Sequence, residues 1–457
     1  MKFPLLFQND IYAIPVGDIW NIPQDKLYFI YSPLSGHVLV ANEEELVNIE
    51  NICSGDNIGT DAQNNLLKQL KEQRNQNVYE IPDSHDGITE IDILMNFKCN
   101  FSCSYCYSAA GRSAKEVSFE HIKVLVDYLF SPERSQKRTY RINFSGGGEP
   151  LLSFPLIKKT VDYIKEKAKQ SSCEYSHGLV TNGSLLTPEI IDFVKEQRIN
   201  LVVSFEVLKE FQDLERGSYD SVARNMDLLL RKECPFGIRA TITPISVHSM
   251  KTMVEELSVR FPKLKAIVFD TVLSADLFNT PQQLGDYYGN FSNEYWSAKE
   301  LGAEIGIEVA CNSVELASIL RTRACRGKVV LTPNGDISSC ARVSSPQEDL
   351  YDEFIYGKID KDCLVMDNTK FSNIMEENNI YTRRECRECY ARWSCGAGCW
   401  LFSKSFPKEF EEPFCNFTKD SLKKNLYEII SKRYSSVHKQ SLWDYINGQI
   451  KYNHSNL

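Results

Sequence analysis

Several absences bound what this 457-residue chain can be. No stretch approaches the ~18 consecutive apolar residues that a membrane-spanning helix needs. Positive charge is not in excess, since 52 Lys and Arg stand against 61 Asp and Glu, and this balance argues against a general nucleic-acid binder. The opening MKFPLLFQND is not the pattern of a signal peptide, because its short apolar patch is soon broken by Asp10. These absences predict a cytoplasmic protein with neither membrane nor nucleic acid as a partner.

Cysteine, in contrast, is abundant. Disulfides are rare in the cytosol, so 15 cysteines need another explanation, and metal ligation is the leading one. Their distribution is uneven: residues 1–85 contain only Cys53, and the densest stretch runs from Cys311 to Cys415. This clustering predicts a separate cysteine-rich domain.

The hydrophobic pattern divides the chain into four parts. Residues 1–85 read as short strands followed by two helices, an order that fits a winged-helix-like α+β module. Residues 86–310 alternate six strand patterns with five helical ones, which predicts an α/β fold with a parallel sheet, either doubly wound or a partial barrel. The cysteine-rich domain is predicted over 311–420, and a helical tail over 421–457. Active sites in parallel α/β folds lie at the carboxyl ends of the strands.

Chemistry-bearing residues do follow the predicted strands. The stretch CNFSCSYC after the first strand places Cys99, Cys103 and Cys106 within eight residues. A structural zinc site uses four ligands, whereas three thiolates leave one metal position open. The second strand is followed by SGGGEP over residues 145–150.

Together these motifs resemble those of the radical SAM enzymes, with C-x3-C-x2-C after the first strand and GGEP after the second. The resemblance implies a partial (β/α)6 TIM-like barrel and a [4Fe–4S] cluster on Cys99, Cys103 and Cys106. The open iron of this cluster would bind S-adenosylmethionine (SAM). The implied SAM-binding residues are Tyr105, Gly146, Gly147, Gly148, Glu149, Ser204 and Arg216. Glu149 would accept the methionyl ammonium, Tyr105 would lie at the adenine, and Arg216 suits the carboxylate. The three glycines would let the backbone approach the bound ligand closely.

Glu206 stands where many relatives have aspartate, so its role is left open. No residue is assigned as catalytic.

The cysteine-rich stretch is similar to the seven-cysteine SPASM domain. By this resemblance, Cys386, Cys389, Cys395 and Cys415 hold one auxiliary [4Fe–4S] cluster, and Cys325, Cys340 and Cys399 hold a second. Three clusters are therefore expected in all. Two four-iron clusters need eight ligands and the motif supplies seven, so either Cys311 or Cys363 is the eighth ligand or one iron stays open.

Substrate assignment follows the same resemblance. SPASM proteins mostly modify peptides or proteins, and the sulfatase-maturing branch carries an acidic residue where this chain has Ala341. We therefore expect a maturase that crosslinks a ribosomally made precursor peptide, with a thioether as the leading product. The precursor's leader would bind at the N-terminal module, and a flavodoxin or ferredoxin would supply electrons. Alternatives are carbon–carbon or carbon–oxygen crosslinking, maturation of a protein cofactor or sulfatase, and a non-catalytic iron–sulfur or zinc-binding scaffold.

Overall fold

The structure is a computed structural model that describes residues 5–7, 10–20, 26–54, 60–72, 78–135, 138–171 and 173–446. Across these residues, no helix is both long enough and apolar enough to cross a membrane.

The N-terminal part is a four-stranded antiparallel meander followed by two helices, in the predicted order of strands before helices. Its elements are β1 Leu5–Phe7, β2 Ile11–Pro15, β3 Leu27–Ser32, β4 His37–Asn42, α1 Glu43–Ser54 and α2 Asp61–Lys71. The second helix begins at a capping box, in which Thr60 Oγ1 accepts from the Gln63 amide. One face of the sheet packs on the helices and the other on the C-terminal residues Tyr390, Leu422 and Leu426. The winged-helix-like assignment itself stays a prediction.

The six predicted strands of the central part are all present and parallel, and this confirms the α/β fold with a parallel sheet. A two-residue strand, β5 Val78–Tyr79, precedes them. The central elements are β6 Glu90–Ile93, α3 Phe119–Leu129, α4 Pro132–Ser135, β7 Thr139–Phe144, α5 Phe154–Ser171, β8 Glu174–Thr181, α6 Pro188–Glu196, β9 Asn200–Ser204, α7 Lys209–Glu215, α8 Tyr219–Arg231, β10 Phe236–Ile242, α9 Met250–Arg260, β11 Ala266–Thr271, α10 Pro281–Ile305 and β12 Glu308–Ala310. The last strand, β12, is parallel to β11 and was not predicted.

Only one face of this sheet is apolar. Alternate residues such as Ile142, Val203 and Phe269 are buried in the main core with the helices. The opposite face carries Arg239 and Asp270, which are partly accessible, and we call it the polar face. A doubly wound sheet is covered by helices on both faces. Coverage of one face alone favours the partial-barrel alternative.

The cysteine-rich part continues the same sheet, because its three-residue strand Val329–Leu331 pairs in parallel with β6. Its elements, with the C-terminal helix, are β13 Leu320–Arg321, β14 Val329–Leu331, β15 Asp336–Ser338, α11 Tyr351–Phe354, β16 Ile355–Asp360, β17 Cys363–Met366, α12 Asn368–Glu377, α13 Arg392–Cys395, α14 Trp400–Ser405 and α15 Glu411–His438. The sheet thus has eleven strands, ending in the antiparallel run β14–β17. The pairing of β14 with β6 joins the two predicted domains in one sheet. The predicted domain boundaries stay predictions. Of the predicted tail, residues 447–457 lie outside the described residues.

Candidate functional site

Cys99, Cys103 and Cys106 lie together in the loop that follows β6, and we call them the Cys99 group. Each is only partly buried. Burial raises the pKa of Cys103, and the charges of its two partners raise it further, so the three thiols act on one another. Arg112, which the sequence interpretation missed, donates from Nη2 to Cys106 Sγ at 3.3 Å. The sequence offered a signal for Arg112, because it closely follows the cysteine motif and a nearby positive charge stabilises thiolates.

The glycine loop after β7 packs directly on the Cys99 loop. Gly146 and Gly147 have φ values of 95° and 68°, in the left-handed region. A Cβ on Gly148 would overlap the carbonyl oxygen of Lys98. The Gly148 amide donates to the Asn96 carbonyl at 2.9 Å. The nearest neighbours of Gly147 and Gly148 are thus backbone atoms of the Cys99 loop, and the expectation that the glycines make room for a ligand stays a prediction.

Glu149 is a buried carboxylate that joins two loops. It accepts hydrogen bonds from Thr181 Oγ1 at 2.6 Å, from the Asn182 amide at 2.8 Å and from the Leu151 amide at 3.1 Å. Burial raises the pKa of Glu149, and these three donors lower it. The carboxylate thus fixes the glycine loop to the end of β8. Its role as acceptor for the methionyl ammonium stays a prediction.

Tyr105, Glu206 and Arg216 form one hydrogen-bonded group beside the cysteines. The Tyr105 hydroxyl donates to Glu206 Oε1. Arg216 Nη1 donates to the Tyr105 hydroxyl at 2.9 Å and lies 3.4 Å from Glu206 Oε1. The positive charge of Arg216 also acts on the Cys103 thiol. Glu206, whose role the sequence left open, therefore belongs to this site.

Two buried polar atoms of that group have no partner within the described structure. They are Glu206 Oε2 and Arg216 Nε. Burial raises the pKa of Glu206 to about 7, although Arg216 lowers it. Buried polar atoms are normally hydrogen-bonded, so atoms left over beside three thiols fit a site for a polar ligand. Ser204 ends β9 beside Arg239 of β10 on the polar face.

The other cysteines with predicted ligand roles fall into two groups. Burial and the charges of Cys325 and Cys399 raise the pKa of Cys340 to about 12, and we call these three the Cys325 group. Burial and the charges of neighbouring cysteines raise the pKa of Cys386 to about 11. The Cys386 group lines a cavity of about 300 Å³ and comprises Cys386, Cys389, Cys395 and Cys415.

The structure thus brings together the three predicted sets of thiols. Across the described residues, no three His, Cys, Asp or Glu side chains surround a single-ion position. The assignment of the thiols as iron ligands stays a prediction.

Neither candidate for the eighth ligand lies in a group. Cys311 is buried, and the charged neighbours that act on it are Asp270 and Glu315 rather than another cysteine. Cys363 is exposed and its thiol contacts the Leu364 carbonyl. Whether either residue binds a cluster stays open.

Tyr107 lies near two of the thiol groups, and sequence reasoning missed it. Burial of its hydroxyl raises its pKa, the charge of Arg342 lowers it, and the charges of both Cys106 and Cys340 raise it further. The residue as a whole is 43% exposed. The Arg342 guanidinium lies 4.9 Å from the centre of its ring. Tyr107 therefore lies near both the Cys99 group and the Cys325 group, and part of it is accessible.

Charged side chains line the polar face next to Tyr107. Arg239 Nε lies 2.9 Å from Asp270 Oδ2. Burial raises the pKa of Asp270, and the charges of Arg239 and Arg342 lower it. Arg342 directly follows Ala341, the position at which the acidic residue is absent. The space between the thiol groups is therefore polar and carries charges of both signs.

Comparison with known proteins identifies one domain and several similar proteins. Residues 93–257 match the model of the Radical SAM superfamily. The chain is 30% identical over 191 residues to an uncharacterized protein of Methanocaldococcus jannaschii, covering 40% of this chain and 63% of that one. It is 22% identical to the radical SAM cyclopropyl synthase TigE of Paramaledivibacter caminithermalis, covering 52% of this chain and 45% of TigE. The chain thus spans less than two thirds of either relative.

Two further comparisons concern a sulfatase-maturating enzyme and a solved structure. The serine-type anaerobic enzyme of Bacteroides thetaiotaomicron is 21% identical over 66% of this chain and 80% of its own length. The structure of anSMEcpe with bound AdoMet aligns with a TM-score of 0.56 at 16% identity, covering 74% of this chain and 98% of that one. The latter similarity concerns the fold.

The family implies a [4Fe–4S] cluster and SAM as cofactors. Three mutually interacting thiols beside the unpartnered atoms of Glu206 and Arg216 fit that pair of ligands. Residues 93–257 therefore form a domain of the Radical SAM superfamily, and the chain is similar to a cyclopropyl synthase and to sulfatase-maturating enzymes.

Proposed function

We propose that this protein is a radical SAM enzyme that installs a crosslink, with a thioether as the leading product, in a ribosomally made precursor peptide. The observation that carries the proposal is the position of Tyr107. Its hydroxyl is within electrostatic reach of Cys106 and of Cys340, and part of the residue is accessible. A peptide held at Tyr107 would be next to both thiol groups at once.

The bond change is an oxidation. A C–H bond and the S–H bond of a peptide cysteine break and a C–S bond forms, with net loss of two hydrogen atoms. A [4Fe–4S] cluster held by the Cys99 group would supply the electron that cleaves SAM, and clusters held by the Cys325 and Cys386 groups would provide an acceptor for the electron left over. The thiol proton leaves to a base or to solvent.

The chain's own residues supply position and charge. Glu149 holds the glycine loop and the end of β8 together, so the floor of the SAM site is fixed before the ligand binds. Arg216 is oriented by Tyr105 and Glu206, and this leaves its Nε available to a carboxylate. Tyr107 and Arg342 form the wall on which the substrate peptide would lie.

The proposal includes three [4Fe–4S] clusters, an external flavodoxin or ferredoxin as reductant, a leader bound at residues 1–85 and a cytoplasmic location. Maturation of a residue in a larger protein, as in the sulfatase-maturating relatives, is a second candidate. It is favoured by the 80% coverage of the serine-type enzyme. Against this second candidate, the chain has Ala341 at the position where the sulfatase-maturing branch carries an acidic residue.

The test uses anaerobically reconstituted protein with SAM, a reductant and a cysteine-containing precursor encoded beside it. Mass spectrometry should show 5′-deoxyadenosine and a peptide lighter by two hydrogen atoms, whereas the Cys→Ser precursor should not lose them.

The matched protein variant replaces Cys99, Cys103 and Cys106 by Ala, which should remove about a third of the iron and abolish 5′-deoxyadenosine. Formation of 5′-deoxyadenosine without any change in the peptide would contradict the proposed substrate. A formylglycine on a sulfatase peptide would support the second candidate.

A further inference from the structure

A second large cavity lies at the end of the sheet opposite the Cys99 group. It has a volume of about 660 Å³ and is bounded by the first residues of β6 and β7, including Glu90 and Arg141. The Cys99 group follows the carboxyl end of β6, so the two sites are at opposite ends of the same strands. Cys325 also lines this cavity. The cavity therefore borders the Cys325 group from the far side.

The cavity is basic although the whole chain carries a net charge of −9. One carboxylate, Glu90, and five cationic side chains line it, the latter being Arg141, Arg321, Arg323, Arg326 and Lys328. A concave site with charges of one sign concentrates ligands of the opposite sign. The distribution of charge thus indicates an anionic ligand.

Some of these cationic side chains already have partners within the protein. Arg141 lies 3.4 Å from Glu90, and Lys328 lies 2.8 Å from Asp92. Arg323 donates to the carbonyl of Ile374 at 3.2 Å and also to that of Cys325. The Arg141–Glu90 pair is exposed and weak, so Arg141 stays a candidate for ligand binding together with Arg321 and Arg326.

Arg321 and Arg326 have no carboxylate at ion-pair distance among the described residues. Arg321 Nε is buried and has no hydrogen-bond partner there. Arg326 lies 4.7 Å above the ring of Tyr79. Arg321 Nη1 donates to the Ala324 carbonyl at 3.4 Å, and the remaining N–H donors of Arg321 and Arg326 are suited to an external carboxylate.

Apolar, partly exposed side chains also line the cavity, next to the cations. Tyr79 is 43% exposed and Ile319 is 38% exposed. Tyr79 belongs to β5, which pairs in parallel with β13, and its register partner is Arg321. Apolar side chains beside cations fit a peptide that carries both apolar and acidic residues.

The cavity connects through charged residues to the candidate active site. Lys328, on its wall, binds Asp92, and Asn143 Nδ2 donates to Asp92 at 3.0 Å. The charge of Asp92 acts on the Tyr107 hydroxyl. Two further cations, Arg239 and Arg342, lie beyond it on the polar face and next to Tyr107. Charged and amide side chains thus lie between the cavity and Tyr107.

We propose that this cavity binds an acidic segment of the substrate peptide through Arg141, Arg321 and Arg326, so that the substrates of this protein carry a segment rich in Asp and Glu that is separated from the modified residue by at least the length of a strand. The inference rests on the proposed function and names the class of peptide that the site accepts. Arg323 and Lys328 keep the internal contacts described above and shape the site.

The test measures binding of three fluorescein-labelled probes to the reconstituted protein with SAM, by fluorescence anisotropy. The probes are an end-capped octaglutamate, its octaglutamine counterpart and an eight-nucleotide thymidine strand. The double variant Arg141→Gln and Arg326→Gln removes two accessible cations from the cavity. The matched control is Arg224→Gln, which makes the same change at an exposed position on α8, outside the cavity.

Octaglutamate should bind about tenfold more tightly than octaglutamine, as expected for two to three partly exposed ion pairs. The double variant should lose most of this preference, the control should keep it, and added salt should weaken it. Equal binding of the two peptides, an unchanged preference in the double variant, or equally tight binding of the thymidine strand would each overturn the inference. If the protein modifies a peptide but does not prefer octaglutamate, this inference alone is wrong. If it prefers octaglutamate but modifies no peptide, the proposed function is wrong instead.

Discussion

Replacing Gly147 by Ala tests the contact between the glycine loop and the Cys99 loop. Gly147 has a φ of 68°, and a Cβ placed on it would lie 2.7 Å from the carbonyl oxygen of Asn96. That oxygen is backbone and already accepts the Gly148 amide at 2.9 Å, so it cannot move away without weakening this hydrogen bond. The substitution therefore adds both an unfavourable backbone conformation and an overlap.

The magnitude follows from these two contributions. A left-handed φ costs a residue with a Cβ about 1–2 kcal/mol, and overpacking against a fixed neighbour costs about 1–3 kcal/mol more. We expect Gly147→Ala to lower the free energy of unfolding by about 2–5 kcal/mol. Gly306→Ala is the matched control, because Gly306 has a φ of 78° and nothing within 4 Å of its Cβ position. It should show the backbone contribution alone, about 1–2 kcal/mol.

Urea unfolding of the reconstituted protein measures both variants, and iron analysis follows the thiol site. Hydrogen exchange of residues 94–99 should quicken in Gly147→Ala and stay unchanged in Gly306→Ala. If Gly147→Ala is no less stable than Gly306→Ala and exchanges at the normal rate, the two loops are not in the tight contact described.

Three other predictions concern different parts of the chain. Burial lowers the pKa of His177 to about 4, so the unfolded chain is protonated before the folded one, and stability should fall by up to about 3 kcal/mol as the pH drops from about 6.5 towards 4. Urea unfolding against pH should show that this loss disappears in His177→Leu but persists in a variant of the exposed His248. An unchanged pH profile in His177→Leu would be the contrary result. Cys311→Ala and Cys363→Ala should each keep full iron content, because neither thiol lies within a thiol group, and a loss of iron would identify an eighth ligand. The precursor's leader, but not its core, should slow hydrogen exchange in the edge strand His37–Asn42, and equal exchange with and without leader would argue against docking there.

Local patterns in the sequence showed which chemistry-bearing residues follow each strand and which cysteines share a motif. The alternation of strands and helices predicted a parallel sheet, and parallel strands end at a common edge, so Cys99 and Gly146 had to meet there. These inferences succeed because they depend on local spacing and on period. The spacing of Cys386, Cys389, Cys395 and Cys399 carries similar local information.

Tertiary structure alone decided the rest. Tyr105 and Arg216 are 111 residues apart and meet only because the Cys99 loop packs on the end of α7, where the Ser104 amide donates to the Glu215 carbonyl at 2.9 Å. Tyr107 lies near Cys340 because β14 pairs with β6, and no local pattern predicts that pairing. The basic cavity likewise joins residues from β7 with residues around β13 and β14. Contacts between distant segments depend on strand order and loop closure, whereas spacing reports only on near neighbours, so the full candidate site was visible only in the folded chain.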